Sequence, residues 1–140
     1  MKDKPKINVV AAVIVNQHNR ILITQRPPDS HLSGYWEFPG GKIDEDERPE
    51  QALKREIKEE LNVEVEILRL LWQQDFEYPQ KKIQISFYHC RLLSDEGQIK
   101  PLEVADFRWI FVAEFPQFNF PPADAAFIKK LTKNFKSLVE

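Results

Sequence analysis

The 140-residue chain has little of several features that mark particular classes of protein. Its single cysteine, Cys90, excludes an intrachain disulfide and is compatible with a reducing cytosol. No apolar run reaches the roughly 20 residues that a membrane-spanning helix needs. The formal net charge of −2 provides no overall positive field that would attract a nucleic-acid polymer. These absences predict a cytoplasmic monomer that binds neither membranes nor nucleic-acid polymers.

The apolar runs near the start of the chain predict strands rather than a secretory leader. The run at 9–15 is short and β-branched, and the polar turn at 16–20 follows it without an A-x-A-like cleavage site. A second β-rich run at 21–24 predicts a β-hairpin with the first. Further extended segments are predicted at 36–38, 63–72, 83–93 and 107–111, with a loop over 27–35 and a turn at 78–80.

Two segments have the apolar spacing of amphipathic helices. Pro49 suits the first position of a helix that runs to Leu61, and Asn62 suits a left-handed residue just beyond it. Residues 123–139 predict a second helix with an apolar face and several exposed lysines. Strands with two separated helices predict an α+β fold, with one mixed sheet between helical layers in a single domain over residues 1–140.

Three glutamates on the first helix form the most informative cluster. Glu56, Glu59 and Glu60 are three and four positions apart, so they lie together on one helix face. Like charges this close repel one another, and a hard divalent cation held by carboxylate oxygens removes that repulsion. The alternative is a solvated acidic face stabilised by Glu/Lys pairs.

The residues around this cluster favour the cation. Gly40 and Gly41 allow the backbone to approach a ligand closely. Lys42 is a point charge suited to phosphate, and Arg55 can position a glutamate through a bidentate pair.

This region resembles the signature of the Nudix hydrolase family, G-x5-E-x7-R-E-U-x-E-E-x-G-U, where U is a bulky aliphatic residue. The chain has Gly41, then Glu47, then the run from Arg55 to Val63, and every charged position matches. The one departure is Asn62 where the family has glycine. Because Asn tolerates the left-handed conformation better than other non-glycine residues, we expect little damage.

The resemblance extends to the MutT-type branch of the family. Residues 36–43 resemble the segment that leads into the signature of this branch, and residues 120–124 resemble its base-recognition segment. Glu103 stands where the branch carries a further metal-binding glutamate, although it is also explained as an exposed loop charge. The resemblance implies a Nudix α/β/α sandwich that hydrolyses nucleoside triphosphates to the monophosphate and pyrophosphate, with attack at the β-phosphorus.

The resemblance also implies a catalytic site that uses Mg²⁺, with Mn²⁺ as a possible substitute. Its metal ligands would come from the Gly40 carbonyl and from Glu56, Glu59, Glu60 and Glu103. Arg55 belongs to the same catalytic set, and either Glu56 or Glu103 would act as the general base. The implied substrate-binding residues are Arg26, His31, Glu37, Phe38, Pro39, Gly40, Lys42 and Asp124.

Several of these substrate residues have simpler interpretations. Arg26 is also explained as a strand-end charge, His31 as a surface residue, Phe38 as core and Asp124 as a helix N-cap. Asp124 matters most, because the 8-oxo-dGTP-hydrolysing prototype of the branch has Asn there. An ionised Asp only accepts hydrogen bonds, which suits the exocyclic amine of cytosine, whereas a buried neutral Asp restores the donor that an oxidised purine needs.

The substrate therefore stays open between oxidised purine nucleotides and CTP-type nucleotides. A non-catalytic nucleotide sensor is a second hypothesis, although such proteins would be expected to lose signature carboxylates. A third is an interaction module whose acidic helix binds a basic partner, which leaves Gly40, Gly41 and Lys42 without a role.

Overall fold

The computed structural model describes residues 4–139. Over that range the chain forms seven strands and two helices. The strands are β1 (Lys6–Ile14), β2 (Ile21–Gln25), β3 (Trp36–Glu37), β4 (Gly40–Lys42), β5 (Val65–Glu77), β6 (Lys82–Leu92) and β7 (Asp106–Ile110), and the helices are α1 (Pro49–Leu61) and α2 (Ala125–Val139). Short 3-10 segments occur at Glu96–Gln98, Val112–Gln117 and Pro122–Asp124.

The strands divide between two sheets. One is a four-stranded mixed sheet in the order β4-β1-β6-β5, in which β1 runs parallel to β6 and antiparallel to β4. The other is a three-stranded antiparallel sheet in the order β3-β2-β7. The predicted β-hairpin of β1 with β2 is wrong. A single bridge joins Val15 to Ile21, but β1 and β2 belong to different sheets.

Strand β1 supplies side chains to a core on each face of the mixed sheet. Alternate residues of a strand point to opposite faces. Val10, Ala12 and Ile14 pack on the side of α1, whereas Ala11 and Val13 pack on the side of α2. A strand buried on both faces has a continuous apolar sequence, which explains the run seen at 9–15. The predicted α+β architecture, with a mixed sheet between helical layers, is confirmed.

The two cores are filled by different kinds of side chain. Leu53, Ile57 and Leu61 of α1 are fully buried in the aliphatic core. On the α2 side, the ring of Phe127 stacks on Phe87 with centroids 4.0 Å apart. The helices therefore fix both faces of the sheet whose edge carries Gly40 and Gly41.

Helix α1 begins and ends where the sequence predicts. The N–H of Arg48 donates to Oε1 of Gln51 at 2.9 Å at its start, and Asn62 has φ 64°, which is left-handed, at its end. Helix α2 begins at Ala125, two residues later than predicted, because the chain before it forms the 3-10 segment Pro122–Asp124. Neither helix of the described chain is long and apolar enough to cross a membrane.

Candidate active site

The two glycines of β4 place the sheet edge against α1. Pro39 precedes them, and its carbonyl accepts a hydrogen bond from the Ala12 N–H at 2.8 Å. A Cβ on Gly40 would lie 2.0 Å from the Val10 carbonyl oxygen, so only glycine fits there. A Cβ on Gly41 would lie 2.4 Å from Cδ of Glu56. The close approach of backbone and carboxylate therefore depends on both glycines.

Glu60 and Glu56 place two carboxyl groups beside β4. Oε1 of Glu60 accepts a hydrogen bond from the Gly40 N–H at 3.4 Å. Burial, together with the nearby charges of Glu37 and Glu56, raises the pKa of Glu60 to about 9. Burial also raises the pKa of Glu56, although Arg55 opposes the shift. Two partly buried carboxyl groups this close repel one another when both are ionised, which favours the protonated form of Glu60.

Arg55 joins the glutamates of the signature. Its Nε and Nη2 contact both oxygens of Glu47 at 2.8 and 3.0 Å, which is a bidentate pair. Its Nη1 donates to Glu56 at 2.9 Å and to Glu59 at 3.0 Å. The bonds from Arg55, with the Asp44 N–H, lower the pKa of Glu47 to about 2. The predicted positioning role of Arg55 thus has a geometric basis, with Glu47 as its main partner.

The structure separates the three glutamates of the predicted cluster. Glu56 and Glu60 line one cavity, whereas the side chain of Glu59 is 41% exposed, binds Arg55 and lies off the cavity wall. Within residues 4–139, no three His, Cys, Asp or Glu side chains are already arranged as a metal site. Glu59 would have to leave Arg55 to become a ligand.

The loop before β7 brings Glu103 to the same cavity. The N–H groups of Lys100 and Leu102 donate to the carbonyls of Leu61 and Glu60 at 3.0 and 2.9 Å. These carbonyls at the end of α1 have no partner inside the helix, so the loop satisfies them. Glu103 thereby lines the cavity near Glu60, although its side chain is exposed.

A cavity of about 660 Å³ connects these carboxylates with the predicted base-recognition segment. Its wall includes residues of the signature region, namely Gly40, Gly41, Lys42, Glu56, Glu60 and Glu103. It also includes Arg26, His31, Glu37, Phe38, Tyr78, Lys81, Ala123 and Asp124. Of the predicted site residues, only Arg55, Glu59 and Pro39 lie off its wall.

Asp124 is a buried acid in the wall of this cavity. Its side chain is 7% exposed, and burial, with a smaller contribution from Glu37, raises its pKa to about 7. The Asp124 N–H donates to the Pro121 carbonyl at 3.0 Å, and among the described residues its carboxyl group makes no hydrogen bond that would cap α2. The helix-cap interpretation is therefore wrong, and the carboxyl group is available to a ligand.

Arg26 is held in place before any ligand binds. Its Nη1 contacts both carboxylate oxygens of Glu37 at 2.9 and 3.1 Å, and its Nε donates to the His31 carbonyl at 2.5 Å. Burial raises the pKa of Glu37 even though Arg26 opposes the shift. The strand-end interpretation of Arg26 does not account for this network.

Phe38 belongs mainly to the aromatic core. It is 4% exposed, and the rings of Phe87, Phe115, Phe120 and Phe127 lie with centroids 5.6 to 5.8 Å from its own. This packing supports the core interpretation over stacking on a base.

Tyr78 and Lys81 are wall residues that sequence reasoning missed. They lie at the two ends of the turn between β5 and β6. Burial raises the pKa of Tyr78, and the nearby Asp124 charge adds to the shift. The turn itself is predicted from Pro79. Its position opposite Asp124 depends on sheet order, which no local pattern reveals.

Comparisons with known proteins agree with this geometry. The family model of the NUDIX domain matches residues 5–131 of this chain. An 8-oxo-dGTP diphosphatase of Haemophilus influenzae is 38% identical over 138 residues, which cover 95% of this chain and 98% of the relative. A CTP pyrophosphohydrolase of Escherichia coli is 33% identical, covering 85% of this chain and 87% of the relative. The crystal structure of a MutT protein from Methanosarcina mazei Go1 has a TM-score of 0.84 at 24% identity, covering 97% of this chain and 99% of that chain, and so shares the fold. The chain therefore belongs to the Nudix hydrolase family.

Proposed function

We propose that the chain is a magnesium-dependent pyrophosphohydrolase of nucleoside triphosphates, with oxidised purine nucleotides such as 8-oxo-dGTP as its principal substrates. The observation that carries the proposal is one cavity whose wall holds both the clustered carboxylates and a buried acid, Asp124. A nucleotide bound there would have its phosphates beside the carboxylates, which we call the phosphate end, and its base beside Asp124, which we call the base end. A cytoplasmic location and a monomeric state remain predictions.

The residues at the phosphate end fit a hard cation. Burial and the charges of Glu37 and Glu56 raise the pKa of Glu60, so positive charge beside Glu56 and Glu60 would stabilise both carboxylates, and Mg²⁺ prefers such oxygen ligands. Glu56, Glu60, Glu103 and the Gly40 carbonyl would hold the ion, with Glu59 joining if it leaves Arg55. When bound, Mg²⁺ neutralises phosphate oxygens and lowers the pKa of a water molecule.

The protein's own groups position the reactants. Glu56 or Glu103 accepts a proton from water, whose oxygen bonds to the β-phosphorus. The bond from that phosphorus to the oxygen bridging the α-phosphorus then breaks, which yields the monophosphate and pyrophosphate. Arg55 keeps Glu56 oriented, and Lys42 offers a positive charge to the phosphates.

The environment of Asp124 supports the oxidised purine. An acid whose pKa is about 7 is half protonated at neutral pH, so it can donate to the O6 acceptor while accepting from the N7–H that oxidation creates. The ionised half favours a base with an exocyclic amine, which keeps CTP-type nucleotides as the second candidate. The similarity to a CTP pyrophosphohydrolase supports the same alternative.

A nucleotide panel tests the proposal. Pyrophosphate release from 8-oxo-dGTP, dGTP, CTP and dCTP should require Mg²⁺ or Mn²⁺ and stop in excess chelator. Hydrolysis in ¹⁸O-labelled water should place the label in pyrophosphate. Nucleotide binding without turnover would favour a sensor, absence of binding would favour an interaction module, and label in the monophosphate would contradict attack at the β-phosphorus.

A further inference from the structure

The turn between β5 and β6 forms the wall of the cavity that faces Asp124. We call residues 78–81 the wall turn. Its ends are joined by two hydrogen bonds, from the Tyr78 N–H to the Lys81 carbonyl at 2.8 Å and from the Lys81 N–H to the Tyr78 carbonyl at 3.3 Å. The side chains of both residues line the cavity. The position of the wall turn therefore sets the width of the base end.

Within the sheet, this turn has a neighbouring strand on one side. Strand β5 is the last strand of the four-stranded sheet, so it has a neighbouring strand only in β6. An edge strand lacks the second row of hydrogen bonds that fixes a central strand. Tyr78 packs against the aromatic core on one side, and the polar backbone of the turn is left for a further contact.

The segment before β1 supplies that contact through Lys4. Its ammonium donates to Oε2 of Glu77 at 2.5 Å and to the Tyr78 carbonyl at 3.2 Å. The next residue, Pro5, accepts a hydrogen bond from the Lys82 N–H at 2.9 Å. Lys4 and Pro5 thus contact the chain on both sides of the wall turn.

We propose that Lys4, through its pair with Glu77 and its bond to the Tyr78 carbonyl, is a positioning residue that holds the wall turn at the base end of the substrate cavity. This inference rests on the proposed function for its kinetic consequence. Neither Lys4 nor Glu77 lines the cavity, so both act through Tyr78 and Lys81. The phosphate end lies on other elements, so loosening the turn should weaken substrate binding and leave the chemical step unchanged.

Two variants that each remove one charge, and the double variant that removes both, test the positioning role of Lys4. With 8-oxo-dGTP and Mg²⁺, Lys4→Gln should raise KM by about two- to fivefold at unchanged kcat, as expected for the loss of a partly exposed ion pair. Glu77→Gln should raise KM similarly. The double variant should be no worse than either single variant, because each removes the same interaction.

Arg91→Gln provides the matched control. Arg91 and Glu66 form an equally close ion pair, 2.5 Å, between β6 and β5, at the ends of these strands that lie away from the wall turn. The KM of Arg91→Gln should equal that of the unchanged protein. A similar rise in KM for Arg91→Gln, or a fall in kcat at constant KM for Lys4→Gln, would overturn the proposal.

Hydrogen exchange separates this inference from the proposed function. The amides of Tyr78 and Lys81 should exchange faster in Lys4→Gln than in the unchanged protein or in Arg91→Gln. If no nucleotide is hydrolysed by any variant, the proposed function fails while the exchange rates still decide whether Lys4 holds the turn. Unchanged exchange at both amides would show that it does not.

Discussion

Gly41 lies directly beneath the carboxyl group of Glu56. A Cβ added to Gly41 would come within 2.4 Å of Cδ and 2.5 Å of Oε2 of that side chain. Contacts this short cannot exist, so a larger residue at Gly41 has to displace the carboxylate. The glycine of the signature is thus required by the glutamate 15 positions later.

Gly41→Ala should therefore impair catalysis more than folding. Misplacing a reacting group by about 1 Å can cost on the order of 100-fold in rate, and we expect kcat to fall by that order. Gly97→Ala is the control, because a Cβ at Gly97 meets no atom within 4 Å. Comparing kcat and the melting temperature of the two variants tests this. An active Gly41→Ala protein would mean that Glu56 is not needed where it lies.

Glu60→Gln should stabilise the metal-free protein while abolishing most activity. The pKa of Glu60 is raised to about 9, so the folded protein retains a proton that the unfolded chain loses above its ordinary value of 4.5. Stability therefore falls as pH rises from 4.5 toward 9. The amide removes this dependence and should add about 1 kcal/mol or more at pH 8, since one pKa unit corresponds to about 1.4 kcal/mol.

Denaturant unfolding at pH 5 and pH 8, with and without Mg²⁺, measures this effect. Glu59→Gln is the matched control, because its exposed side chain already pairs with Arg55 and should give no stabilisation. Mg²⁺ should stabilise the unchanged protein and have little effect on Glu60→Gln. A loss of stability in Glu60→Gln would contradict the repulsion inferred among the carboxylates.

The preference for 8-oxo-dGTP over cytosine nucleotides should depend on pH through Asp124. Its pKa of about 7 makes it a neutral donor below that pH and an acceptor-only carboxylate above it. The ratio of kcat/KM for 8-oxo-dGTP to that for dCTP should therefore fall by about tenfold or more between pH 6 and pH 8. Asp124→Asn should remove this dependence. A ratio that stays constant with pH in the unchanged protein would show that Asp124 does not read the base.

Asn62 should tolerate glycine and reject a β-branched residue. Its φ of 64° is left-handed, and its N–H donates to the Lys58 carbonyl at 3.0 Å to end α1. Asn62→Gly should be neutral or slightly stabilising, whereas Asn62→Val should destabilise by roughly 1 kcal/mol or more. Chemical denaturation of both variants measures this. Equal stability of the two would contradict the left-handed conformation.

Features that depend on near neighbours along the chain can be predicted from the sequence alone. The bounds of α1 and the left-handed Asn62 follow from helix periodicity and capping, which act over a few residues. Helix spacing likewise predicts that Glu56 and Glu60 lie together, whereas the family was identified by the resemblance of residues 41–63 to its signature. Residues 120–124 were likewise matched to the base-recognition segment of the MutT-type branch by resemblance of their sequence.

How distant segments meet depends on the packing of the whole chain. Sheet order sent β1 and β2 into different sheets, and the bonds of Arg55 separated Glu59 from Glu56 and Glu60. Burial, which depends on everything packed around a side chain, gave Asp124 its pKa of about 7. Such effects sum contacts between residues far apart in the chain, and no local pattern records them. The sequence therefore predicts which carboxylates cluster beside Gly40 and Gly41, while packing decides the environment of Asp124.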